Sequence, residues 1–125
     1  MIGSTRRVRV FAYRAPVDMR KNFDALSAMV TQQLGRDVLT GDLFVFINKK
    51  RRRAKVLFWD GTGLCLFAKR LEKGLFAAPW MSPGDGPLSM TISELVLLLE
   101  GSELVTKVPL SPAPWVPGDR ALRWG

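Results

Sequence analysis

The apolar positions of this chain change their period several times, and each period predicts an element. From Arg6 to Tyr13 they alternate, with Val8, Val10 and Ala12 on one side and Arg7, Arg9, Phe11 and Tyr13 on the other, the repeat of a half-buried strand over 7–13. Pro16 closes that run. The spacing then becomes three and four: Phe23, Leu26, Val30 and Leu34, with Met29 alongside, form one stripe of a helix over 19–34. Asp18 is suited to its N-cap and Gly35 to a positive-φ ending. Three short apolar runs follow, rich in aromatic and branched residues, and predict antiparallel strands near 42–47, 55–59 and 64–70. Asp60-Gly61 supplies the tight turn between the last two.

Past Leu71 the register breaks through Gly74, Pro79, Pro83, Gly84, Gly86 and Pro87, a surface connection. A second, short helix starts clearly: Thr91 and Glu94 make a capping box, Met90 and Leu95 a hydrophobic staple, and Gly101 a stop. Its apolar side is Ile92, Leu95, Leu98 and Leu99. Residues 104–125, with Pro109, Pro112, Pro114 and Pro117 and no periodicity, read as an extended or disordered tail carrying Trp115 and Trp124. The expectation is an α+β fold in a single compact domain, 1–103. A small antiparallel sheet, a three-stranded meander plus the N-terminal strand, carries one helix on a face, with the second helix toward the C-terminus. If the first strand lies beside 42–47, that pair is parallel and its helical crossover right-handed.

Charge changes the picture more than length does. A chain of 125 residues is long enough to bury about two thirds of its unfolded surface without staples. Nineteen Lys and Arg against eleven Asp and Glu leave +8. The excess is uneven: up to Lys73 sixteen basic residues face six acidic ones, and from Gly74 onward three face five. An electropositive body of this kind attracts polyanions, nucleic acid first. No apolar run approaches the roughly 20 residues of a membrane span, the first residues lack the apolar stretch of a secretory signal, and Cys65 has no cysteine partner. These features together fit a cytoplasmic protein.

The strongest candidate site is the turn between the second and third strands. Lys49, Lys50, Arg51, Arg52, Arg53 and Lys55 place six cations in seven positions, where they repel one another unless an anion is bound. Arg20 and Lys21 fall in the first turn predicted for the helix, against its dipole. They are either solvated and offset by Asp18 or part of a phosphate site at exposed N–H groups. Lys69 and Arg70 end the last strand of the meander. Phe44, Phe46, Phe58 and Phe67 invite comparison with base-stacking surfaces, but aromatic residues at strand spacing are usually core.

Catalytic chemistry has little to stand on. The chain has no histidine, which removes the commonest general base and most zinc sites. Cys65 lies mid-strand as a small hydrophobe, and no Gly-rich phosphate loop occurs. An acidic metal triad of Asp24, Asp60 and Glu94 is rejected because an exposed helix face, a turn and a cap account for the three in order. No metal or cofactor is expected.

Several motifs in one order add a resemblance. Asp18-Met19-Arg20-Lys21, Phe23-Asp24-Ala25-Leu26, Gly41-Asp42-Leu43-Phe44-Val45-Phe46, Lys55-Val56-Leu57-Phe58-Trp59-Asp60, Lys69-Arg70-Leu71-Glu72-Lys73-Gly74 and Leu98-Leu99-Glu100-Gly101 resemble the TnpB accessory proteins of the IS66 family of bacterial insertion sequences, from about Arg7 to Ser102. Asn22 and Ala25 depart from the small or glycine residues common there, and the tail lacks the family's basic ending. The resemblance implies a product of the element's second reading frame that assists transposition beside a separate transposase. It carries over no catalytic residue. The leading expectation is therefore a non-catalytic factor that binds DNA, duplex element ends, through the basic turn, Arg20, Lys21, Lys69 and Arg70. The alternative is an adaptor for the transposase or another accessory subunit, using the apolar second helix or the tail. RNA binding is a third reading, resting on the aromatic residues.

Overall fold

The computed structural model of the protein describes residues 7–101; the predicted tail, with Trp115 and Trp124, lies outside them. The fold is α+β. Strands β1 (Val10–Ala12), β2 (Leu43–Ile47), β3 (Arg53–Trp59), β4 (Leu64–Arg70) and β5 (Leu88–Met90) form one sheet in the order β4-β3-β2-β1-β5. Helix α1 (Phe23–Gln32) crosses between β1 and β2, which pair in parallel, and every other pairing is antiparallel. The meander β2-β3-β4 follows the sequence pattern. Asp60 holds its last turn as that pattern predicts, its Oδ1 accepting the N–H groups of Thr62 (2.9 Å) and Gly63 (2.8 Å) while Gly61 takes φ +107°.

Because side chains alternate along a strand, the sheet buries two faces. Phe11, Phe44, Phe46 and Leu57 meet Leu26 and Val30 of α1 on one. Val10, Val45, Ile47 and Val56 meet Phe76 and helix α2 (Ile92–Glu100) on the other, through Leu95 and Leu98. Helix α2 starts where the sequence places it: the Thr91 hydroxyl accepts the Glu94 N–H at 3.1 Å, and the Glu94 carboxylate accepts the Thr91 N–H at 2.8 Å. Gly35, at φ +63°, follows the end of α1 as expected.

Three features differ from the sequence pattern. The first strand is shorter, Val10–Ala12. The third begins at Arg53, two residues earlier than expected. The stretch read as surface connection contains β5, which pairs with β1 in register Val10↔Met90 to Ala12↔Leu88; three residues cannot display a period. The preceding loop is held too, by Arg14, whose Nε donates to the Gly86 carbonyl (2.7 Å) and whose Nη1 donates to those of Ser82 (2.8 Å) and Pro83 (3.1 Å).

The N-terminus of α1 differs from the expected one as well. The helix begins at Phe23 with Asn22 as N-cap, not at Met19 with Asp18. Asp18 instead closes a turn of its own, its carboxylate accepting the Arg20 N–H (2.9 Å) and its carbonyl the Lys21 N–H (3.1 Å), the competition with helix that Asp side chains offer. The carbonyls of Met19 and Lys21 are in turn taken by a lysine of the sheet, so they are engaged away from a helical ladder.

Candidate nucleic-acid interface

The basic turn is a braced corner of the sheet. Asn48 organises it: its carbonyl accepts the Arg51 N–H (2.9 Å), its N–H donates to the Arg53 carbonyl (3.0 Å), and its Oδ1 accepts the N–H groups of Arg52 (3.0 Å) and Arg53 (2.9 Å). Arg51 closes the turn at φ +61°, the one non-glycine residue with positive φ among those described, a conformation that costs an L-residue about 1 kcal/mol. Its side chain faces inward, Nε donating to the Phe76 carbonyl at 2.9 Å. The Arg51 and Arg52 carbonyls accept the Phe76 and Leu71 N–H groups, both at 2.8 Å. Lys49, Lys50, Arg52 and Arg53 are thereby left exposed on a rigid support.

The ten cations singled out in the sequence do not share one role. The Lys55 ammonium donates to the Met19 carbonyl (2.8 Å), the Lys21 carbonyl (2.7 Å) and Asn22 Oδ1 (2.8 Å). An ammonium has three donors, so Lys55 is committed to tying the entry of α1 to β3. Lys69 donates to the Leu99 carbonyl (2.6 Å), one of the last carbonyls of α2, where a cation also suits the helix dipole. Arg51 braces the turn. Arg20 grips Asp18 with Nη2 at 2.7 Å and Nε at 3.1 Å from both oxygens; its side chain remains 91% exposed. The hydrogen bonds from Arg20 hold the Asp18 carboxyl at about 2. Since α1 starts later than expected, Arg20 and Lys21 lie just before its N-cap Asn22 rather than in its first turn.

Tertiary structure gathers three separate stretches at one corner. Arg53 of β3 stands directly opposite Arg70 of β4, and Lys55 opposite Ala68. By the alternation of side chains these lie on the same face as Phe46 and Leu57, the α1 face. Lys55 joins residues 19–22 to that corner. Arg70 has a neighbouring acid, Glu72 at 3.2 Å, but both side chains are mostly in water, where such a pair is worth little. Like charges directly opposite destabilise a strand pair, so the Arg53–Arg70 placement is a cost that an anion would relieve.

The aromatic residues divide as well. Phe44 and Phe46 are fully buried, Phe44 stacking on Phe11 at 6.0 Å, and Phe58 packs half-buried on the α2 side. Phe67 is exposed. Among the described residues no group of three His, Cys, Asp or Glu could hold a metal ion, and no helix is long and apolar enough to cross a membrane. Asn48, on which the turn depends, is not among the candidates the charge pattern singles out. Its signal was present, an Asn between an apolar run and a charged one, the residue type that bonds backbone two or more positions on.

Comparison with known proteins places this geometry in a family. Two similar proteins come from Sinorhizobium fredii. The uncharacterized protein y4jC is 38% identical over 112 residues, covering 90% of this chain and 93% of the relative. The uncharacterized protein y4hO is 38% identical over 101 residues, covering 81% and 86%. No solved structure matches. The family described as IS66 Orf2 like protein matches residues 8–108, a span that includes every strand, both helices and the basic turn; the chain belongs to that family, the accessory second-frame proteins of IS66 insertion sequences.

Proposed function

We propose that this insertion-sequence accessory protein acts without catalysing a reaction, by holding DNA phosphates at the basic corner of its sheet. The observation that carries the reading is the set of exposed cations Lys49, Lys50, Arg52 and Arg53 on a hydrogen-bonded turn, with Arg70 of the neighbouring strand β4 facing Arg53. Folding does not explain that set, since each member adds repulsion to a body already carrying excess positive charge. Contacts to phosphate position a protein on a duplex without reading its sequence. With about five phosphates neutralised, log K should fall against log salt with a slope of roughly −4.5, or several hundredfold between 50 and 200 mM. Titration of end-sequence DNA, random duplex and RNA at several salt concentrations tests this. Lys49, Lys50, Arg52 and Arg53 replaced together by serine should weaken all duplexes alike, and a slope near zero would remove the electrostatic reading.

A second reading has its own observation. Ile92 and Val96 of α2 are 44% and 52% exposed on one side of the helix, and an apolar stripe of that kind suits an adaptor that docks on the transposase or another accessory subunit. Ile92→Ser with Val96→Ser should then abolish co-purification with the transposase while DNA titration is unchanged.

A further inference from the structure

The sheet ends on β4, a long edge that is unpaired among the described residues. Strand β4 runs seven residues, Leu64–Arg70, pairs with β3 in unbroken register and has no strand on its other side among the described residues. Its first five residues, Leu64 to Ala68, are uncharged and contain no proline. The devices that usually blunt an edge are bulges, prolines, inward charges and lysines. Here the pairing holds no bulge, and the Lys69 head is engaged with Leu99. Phe67 is 44% exposed beside it.

The ladder shows which backbone groups face outward. The Leu71 N–H donates to the Arg52 carbonyl and the Asp60 N–H to the Gly63 carbonyl, so both ends of the β3–β4 ladder are directly bonded pairs. In an antiparallel ladder bonded and non-bonded pairs alternate. Residues 65, 67 and 69 therefore turn their N–H and C=O groups to β3, and Leu64, Leu66, Ala68 and Arg70 turn theirs to the open edge.

We infer that β4 pairs antiparallel with β4 of a second copy of this chain, joining two sheets into one of ten strands, with Phe67 on the two-fold axis. Leu66 then meets Ala68 of the second copy, Cys65 meets Lys69, and Leu64 meets Arg70, so all four outward residues of each edge are bonded. Charge selects this direction and this occupant. The strand starts beside the exposed acid Asp60 and finishes in Lys69, Arg70 and Lys73, three cations against the single acid Glu72. Antiparallel pairing brings Lys73 of one copy beside Asp60 of the other and separates the basic ends, whereas a parallel pair would stack the exposed Arg70 on Arg70. The two Arg53–Arg70 corners come to lie on the same face of the joined sheet, roughly 20 Å apart along the strand direction at about 3.3 Å per residue. The inference stands independently of DNA binding.

Sedimentation of nuclease-treated protein reads the outcome. The native chain should run at twice its 14.0 kDa in both low and high salt. Ala68→Pro removes one outward N–H and leaves the β3 ladder whole, as proline is tolerated on an edge, and it should run at 14.0 kDa with native circular dichroism. Phe67→Lys sets two like charges on the axis and should do the same, deciding the matter alone if the proline variant does not fold. Register is read separately: Phe67→Cys in a Cys65→Ser background should oxidise to a covalent dimer, because facing residues of a non-bonded antiparallel pair stand about 4.5 Å apart at Cα, within disulfide reach. A native chain that is monomeric at every concentration, including one whose edge is covered by its own residues 102–125, overturns the inference. So does a folded Phe67→Lys protein that stays dimeric, or a dimeric Phe67→Cys protein that does not cross-link.

Discussion

Lys55 offers the sharpest division between a cation that builds the protein and one that binds for it. Replacing it by methionine keeps most of the stem's volume and deletes three hydrogen bonds, to the Met19 and Lys21 carbonyls and Asn22 Oδ1. A hydrogen bond to a charged group contributes about 1.5–3 kcal/mol when desolvated. Only the bond to Met19 is partly buried and the other two are exposed, so the expected loss is about 2 kcal/mol rather than three full bonds. For a domain of this size each kcal/mol moves the melting temperature by about 4–8 °C, which puts Lys55→Met roughly 10 °C below the native protein. Arg53→Ser, two residues away on the same face, should leave melting unchanged or raise it slightly, since it relieves the contact with Arg70. Thermal unfolding and a DNA titration on both variants make the comparison. At temperatures where both are folded, Arg53→Ser should lose DNA affinity, and Lys55→Met should lose far less. A Lys55→Met protein that melts with the native chain and binds DNA as poorly as Arg53→Ser would refute the assignment of Lys55 to the scaffold.

Two further outcomes follow from the turns. Arg51→Gly relieves the positive φ while losing the bond to Phe76, and Arg51→Ala loses the bond but keeps the strained backbone; urea unfolding should find the alanine variant less stable by about 1 kcal/mol, and equal midpoints would show that the backbone is not strained there. Asp60 is held at about 2, chiefly by the N–H groups of Thr62 and Gly63. Its folded pKa lies below the ordinary carboxylate value, so the stability it lends is fully present above that value and is lost as pH falls toward 2. Asp60→Asn should flatten that part of the acid-unfolding curve, and a carboxyl midpoint near 4 by NMR would contradict the turn geometry.

What the sequence alone determined are the features decided within a few residues. The alternation of the meander, the Asp60-Gly61 turn and the Thr91–Glu94 capping box each depend on partners no more than four positions away, where steric and hydrogen-bonding preferences act without knowledge of the rest of the chain. The parallel placement of β1 against β2 was legible as a conditional, and the chain's excess positive charge pointed to polyanions. Tertiary structure alone decided which cations remain available. Lys55 finds its acceptors 33 to 36 residues away, Lys69 its acceptor 30 away and Arg51 its acceptor 25 away, and no local pattern distinguishes them from Lys49, Lys50 or Arg53. The same distance effect moved the start of α1, since the carbonyls of Met19 and Lys21 are claimed by a strand far along the chain. It also created β5, whose three residues acquire a strand's identity only by pairing with β1. A side chain's type is written locally, but whether its donors are spent on the fold or left for a ligand is settled by what packing brings within 3 Å.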